Sequence, residues 1–229
     1  LRLLPLLSGL VVLILAVDVA KRVIDPKAVP FAVFFIAIAH RMIYYSAELK
    51  QYSVDVFIVL LLYSVTLRFA FTGWTGRRIA AFGFVGALGV LSSHPVVFVV
   101  AGLGCTLAIH TFRARDWITF RRLVVVGVCW GALFLAYYFV SLHQRNLDSN
   151  SYLIQFWRRR GGFMPFPPHR WADLFKWFGH QFMSLLEDPV GLSMPWLATF
   201  LVAVGLASLS LRYREGLVLL MSPLPFLLA

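Results

Sequence analysis

Charge is scarce in this chain. Asp, Glu, Lys and Arg supply only 14% of the 229 residues, where a soluble domain carries about 25%. So few charges cannot clothe a water-facing surface of ordinary size, which excludes a soluble globular enzyme and a disordered tail. Cysteine is nearly absent. Cys105 and Cys129 both stand inside apolar runs, so a disulfide-stapled domain is excluded and each thiol reads as a small apolar side chain. There is no phosphate-binding glycine loop, no His-x-x-x-His pair, no Cys-x-x-Cys and no Gly-x-Ser-x-Gly elbow. The common nucleotide-loop, helix-borne zinc and hydrolase signatures are therefore missing. Acidic residues number 10 against 21 Lys and Arg. The basic residues cluster between apolar runs, as the loop charges of a membrane protein do, and no nucleic-acid partner is expected.

What the chain does have is apolar length. Hydrophobic residues make up 60% of it, and the mean hydropathy is +0.81. A spanning helix needs about 20 mostly apolar residues. The runs at 3–20, 29–45, 54–71, 79–91, 95–110, 123–142, 192–211 and 216–229 predict about eight spans. They are continuous rather than alternating, so helices are expected and a lipid-facing barrel is not. The fold class is an all-α polytopic transmembrane bundle. Its parts are transmembrane helices over 1–142, a loop with short helices over 143–191, and further helices over 192–229. Both ends open directly on apolar segments, which reads as an internal fragment of a longer membrane protein.

Basic residues orient the bundle. Alternate gaps hold Lys21, Arg22 and Lys27, then Arg68, Arg77 and Arg78, then Arg113, Arg115, Arg121 and Arg122, then Arg212 and Arg214. The positive-inside rule makes these gaps cytoplasmic and places 143–191 outside. In that outer segment 149–160 reads as a short helix, stopped by Gly161. The proline-rich 163–168 cannot be helical. Trp171, Leu174, Phe175, Phe178, Phe182 and Leu185 recur at helical spacing. That pattern suits a helix lying in the interface, and equally one packed on the bundle.

Four outer-face features could carry chemistry. The first is the stretch 44–55, with Glu48, Lys50, Tyr52 and Asp55. If it is helical from Glu48, then Glu48, Tyr52 and Asp55 share one face. An acid within a span is a functional hypothesis by default; the alternative is an Asp55 paired to a neighbouring helix and a solvated turn at Glu48–Lys50. The second is Ser92-Ser93-His94-Pro95, where His94 can donate a bond to substrate, ligate a metal, or simply close a helix end. The third is Arg158, Arg159 and Arg160, whose guanidinium groups match phosphate geometry on a substrate or on a lipid headgroup. The fourth is the Phe-Met-Pro-Phe-Pro-Pro loop, either a cover for an outer cavity or a rigid spacer. Two further features read as structural. Asp18 and Arg22 stand at the spacing of a helical ion pair. Gly102-Leu103-Gly104 sits mid-span, where small residues allow close helix contact.

The order of these features resembles a family. The opening Arg2–Leu10, the Asp18–Arg22 flank, the Tyr44–Tyr52 segment, Ser93-His94-Pro95, the 163–168 loop and Asp188–Leu192 together resemble bacterial membrane glycosyltransferases of the GT-C type. These include proteins similar to the family 39 dolichyl-phosphate-mannose protein mannosyltransferases and the RgtA/B/C/D-like domain. The resemblance implies transfer of a sugar from a polyprenyl-phosphate donor to an acceptor at the extracytoplasmic face of a bacterial inner or plasma membrane. It implies a polyprenyl-phosphate-linked sugar and membrane lipid as partners, and a divalent cation as the candidate cofactor. It also puts the principal catalytic acid ahead of Leu1. That leaves Glu48, Lys50, Tyr52, Asp55, His94 and Arg158–Arg160 as substrate-binding candidates. The rival readings are a membrane carrier or flippase, and a polymerase, of lipid-linked saccharides.

Overall fold

The structure is a computed structural model that describes residues 3–48, 52–142, 155–156, 171–187, 194–212, 218 and 220–224. Among them every regular element is helical: α1 (Leu3–Val23), α2 (Val29–Ile38), α3 (His40–Ala47), α4 (Tyr52–Thr72), α5 (Gly76–Ser92), α6 (Val96–Arg113), α7 (Trp117–Tyr137), α8 (Trp171–Glu187) and α9 (Pro195–Arg212). A wide π-helical turn, Tyr138–Leu142, extends α7. The chain divides into two compact units, Leu1–Phe134 with Val204–Ala229, and Leu135–Ala203.

Four helices, α1, α4, α6 and α7, are long and apolar enough to cross a membrane, and α2 with α3 makes a fifth if the bent pair is one span. This is a helical membrane protein. The expected eight spans are not reached among the described residues. Helix α5 has 17 residues and opens on Arg77 and Arg78, and the apolar part of α9 stops at Leu211. The run from 216 lies mostly outside the described residues. The expected span over 29–45 is formed as a bent pair of helices, not a straight one. It bends by 54° between Ile38 and His40, where Ala39 takes an extended ψ of 109°. No proline or glycine marks the place. The bend falls where a uniformly apolar helix gives way to the polar His40 and Arg41.

In the first unit α4 is the hub. It packs along α1 and also touches α3, α5 and α6. Leu62, Leu67, Phe82, Val96 and Leu103 are completely buried around it. Outward faces stay apolar, as lipid contact requires: Ile14, Val125 and Val128 are all more than half exposed. The small residues of the Gly102–Gly104 stretch behave as expected. A Cβ at Gly102 would lie 2.4 Å from the Ser222 carbonyl oxygen, so only glycine permits that approach.

The two ends of this unit differ in chemistry. At one end Asp18 accepts from Arg22 at 2.9 Å, as the spacing predicted, and also from Ser64 at 2.6 Å and Arg68 at 3.4 Å. The starts of α5 and α7 lie together there too, with the Arg122 guanidinium against Gly76. At the other end meet the close of α3, the start of α4, the close of α5 and the start of α6. They are called the arginine end and the carboxylate end below.

The α6–α7 turn shows how the short links are fixed. Arg115 takes the left-handed φ of 57°, and Asp116 N–H donates back to the Thr111 carbonyl at 3.0 Å, closing α6. Asp116 then caps α7 by accepting from Thr119 N–H at 3.1 Å. The Thr119 hydroxyl, and after it this N–H, hold the Asp116 carboxyl below its ordinary value. A lowered carboxyl pKa stabilises the fold above the unfolded-state value and loses that contribution as pH falls through the folded one. Asp116→Ala should therefore lower the melting temperature at neutral pH. The difference from wild type should shrink as the pH is taken below about 4; an unchanged difference on acidification would show that the cap's charge plays no part.

In the second unit α8 is a helix, as its spacing predicted. Leu186 is buried, whereas Trp171 and Phe175 are each 73% exposed. Trp171, Phe175 and Phe182 form an apolar stripe open on one side, consistent with an interfacial position. Thr199 on α9 lies 3.4 Å from the Met183 sulfur.

Candidate functional site

The carboxylate end gathers the polar residues of the bundle. Helix α3 presents His40, Tyr44 and Glu48 one turn apart on one face. The His40 and Tyr44 rings stack with centroids 6.4 Å apart, and the Tyr44 hydroxyl donates to Glu48 Oε1. Glu48 is the residue after the last turn, with an extended backbone. A carboxylate at a helix C-terminus opposes the helix dipole, so its position is not explained by helix stability.

The expected shared face of Glu48, Tyr52 and Asp55 is not formed. Helix α4 begins at Tyr52, and Glu48 belongs to the close of α3. The aromatics join the two helices instead. Tyr44 meets Tyr45 at 5.3 Å, and Tyr45 meets Tyr52 at 4.4 Å between ring centroids. One turn into α4, Asp55 is half-buried, in the first turn where the dipole favours a carboxylate.

Asp55 faces the turn between α5 and α6. The Ser93 hydroxyl is beside it, and the His94 imidazole acts on it electrostatically. Proline 95 is why this turn exists, since the residue before a proline is held out of helix. Ser93 ends α5 in extended conformation, and α6 starts immediately after Pro95. Ser93 is only 2% exposed. Its Oγ and Asp55 Oδ1 are both shut off from solvent, and neither completes a hydrogen bond of good geometry. A buried polar atom left in that state costs free energy, and such groups at a helix junction mark a place where a ligand can supply the missing bond.

The candidates thus separate into three sets. Asp55 and His94 come together, with Ser93 between their helices. Glu48 is linked through Tyr44 and Tyr45 to Tyr52, at the start of the helix that carries Asp55. Lys50, Arg158, Arg159 and Arg160, the arginine triplet's short helix, and the 163–168 loop lie outside the described residues. Sequence reading passed over His40 and took Tyr44 only as the start of the 44–55 stretch, although the steps of four from His40 to Tyr44 and from Tyr44 to Glu48 were available as a signal. Among the described residues no three His, Cys, Asp or Glu side chains stand together as a metal site, so the divalent-cation expectation has no ligand set there.

An apolar groove of about 340 Å³ runs between α6 and α7. Small residues form its floor, among them Ala101, Gly104, Gly127 and Gly131, with Val97 and Phe134 also lining it. Val97 is one helical turn from His94. No family model, no curated protein and no solved structure matches this chain.

Proposed function

We propose that this chain is the helical core of a membrane glycosyltransferase that takes a sugar from a polyprenyl phosphate and passes it to an acceptor at the extracytoplasmic face. The observation that carries the reading is the gathering of Asp55, Ser93 and His94 at one end of the bundle, with Glu48 linked by tyrosines to Tyr52 at the start of the helix that carries Asp55. The sugar C1–phosphate bond breaks and a C1–oxygen bond to the acceptor forms, while the acceptor proton goes to a base. A carboxylate can serve as that base or hold sugar hydroxyls. The departing phosphate needs cationic help, for which Lys50 and Arg158–Arg160 are the candidates. The α6–α7 groove suits an isoprenoid chain. The principal catalytic acid is assigned to no residue here. The test is transfer of labelled sugar from polyprenyl phosphate by membranes containing the full-length protein; label that never leaves the lipid would reject the reading.

One observation favours a carrier or flippase instead. Broken helices are a device of transporters, and α2–α3 bends by 54°. Movement of intact lipid-linked sugar across vesicles, without transfer, would select that reading.

Both readings place the carboxylate end outside and the arginine end in the cytoplasm of a bacterial inner or plasma membrane. Single-cysteine variants should react with an impermeant thiol reagent from the outside at Tyr52, and between Arg113 and Arg122 only after permeabilisation. Outside labelling of the 113–122 turn would invert the assignment.

A further inference from the structure

At the arginine end a second, separate groove of about 490 Å³ opens between α5 and α7. Its lining is of two kinds. Arg121 and Arg122 stand at one end with Gly76, and Ile79, Val125 and Val126 form apolar walls below them. We propose that this groove binds an anionic phospholipid, its phosphodiester held by Arg121 and Arg122 and its acyl chain lying along the apolar walls.

Charge complementarity argues for this occupant. Arg22, Arg68 and Arg78 at this end are already engaged. Arg22 and Arg68 bond Asp18. Arg78 donates to the Gly73 carbonyl at 2.6 Å and lies over the Phe69 ring. Arg121 and Arg122 form no ion pair with a carboxylate among the described residues. Asp116 acts on Arg122 only through space, its carboxylate being taken up by the α7 cap. The Arg122 guanidinium lies against the first turn of α5, with Nη1 3.3 Å from where a Cβ on Gly76 would be. Thr75 caps this turn by accepting from Arg78 N–H, and the positive end of the α5 dipole remains there. Two like-signed features thus lie side by side, and an anion bound beside them relieves both. The apolar walls distinguish a lipid from a free phosphate. Basic grooves between helices at the cytoplasmic surface are where anionic headgroups bind.

The test uses the purified full-length protein in neutral detergent. Dioleoylphosphatidylglycerol is titrated, with dioleoylphosphatidylcholine and glycerol phosphate as comparison probes. Binding is read by native mass spectrometry and by the shift in melting temperature. Phosphatidylglycerol should bind and raise the melting temperature, and the other two should not. Arg121→Gln with Arg122→Gln should weaken it by about tenfold or more, the scale of one charge-assisted bond. Arg113→Gln with Arg115→Gln should leave it intact, because those exposed arginines do not line the groove. If the glutamine pair fails to fold, Arg121→Lys with Arg122→Lys keeps the charge. It should still lose affinity, because lysine cannot form the two-pronged contact. Equal loss in the 113/115 pair, no loss in the 121/122 variants, or glycerol phosphate binding as tightly as the lipid would overturn the proposal.

Discussion

Trp130→Ala is expected to destabilise the first unit by about 3–5 kcal/mol, the range for removing a large buried aromatic side chain. Helix α7 buries three residues, Thr119, Leu123 and Trp130, and Trp130 is much the largest of them. Its indole fills a notch cut into α5 by glycines. A Cβ at Gly86 would lie 2.2 Å from the Trp130 ring. The indole N–H donates to the Gly83 carbonyl at 2.9 Å, and the ring meets Phe82 edge-on with centroids 5.1 Å apart. Trp130→Phe keeps most of the packing and gives up the hydrogen bond, so it should cost about 1 kcal/mol plus a smaller cavity term. Gly86→Val drives a side chain into the same space and should cost about 1–3 kcal/mol. The two sites share one volume, so the Gly86→Val, Trp130→Ala double variant should be more stable than the sum of the singles. Unfolding in a graded detergent series measures all four proteins. A cost under about 1 kcal/mol for Trp130→Ala would show that α7 is held by something other than this notch.

The notch also marks where sequence reading stops. Gly83, Gly86 and Gly89 stand three apart in α5, a small-residue row like the one noticed at Gly102–Gly104. What a glycine row receives is decided by another helix, and nothing local names Trp130. The Asp18 cluster divides in the same way. The Arg22 pair is four residues away and legible, whereas Ser64 and Arg68 come from 46 and 50 residues further on. The helix start at Pro95 was legible because a proline punctuates the apolar run, whereas α7 begins at Trp117 behind the Asp116 cap, six residues ahead of the expected run from 123. The bend at Ala39 has no such punctuation. At the carboxylate end Glu48, Asp55 and His94 were visible in isolation, because acids and histidines are costly near lipid. Their grouping was not: Asp55 and His94 are 39 positions apart, and only the antiparallel packing of α4 on α5 joins them. A continuous helix from Glu48 would have kept that residue on the face of Asp55. The chain breaks between α3 and α4 instead, and the tyrosines carry the connection.

If the Asp55 group acts on substrate, Asp55→Asn should fold normally and lose transfer, and the same holds for Glu48→Gln. Each change removes one charge but keeps the shape and a hydrogen-bonding group. The loss of one bond to a charged acceptor, about 1.5–3 kcal/mol, corresponds to roughly a 10- to 150-fold fall in kcat/KM. The two carboxylates should differ in how they fall. Asp55 faces the Ser93 hydroxyl, which is buried and unsatisfied, so a substrate hydroxyl inserted there would bond both; Asp55→Asn and Ser93→Ala should then be non-additive. Glu48 is held by the Tyr44 hydroxyl, and Tyr44→Phe should reproduce part of the Glu48→Gln loss by releasing the carboxylate from its position. A purely structural Asp55 predicts the opposite division. Its first-turn position favours α4 through the dipole, so Asp55→Asn would lower the melting temperature and leave turnover per folded molecule unchanged. Melting in detergent and transfer in reconstituted vesicles, measured on the same preparations, separate the two. Wild-type transfer in both Asp55→Asn and Glu48→Gln would return the carboxylate end to a structural role and remove the observation on which the transferase reading rests.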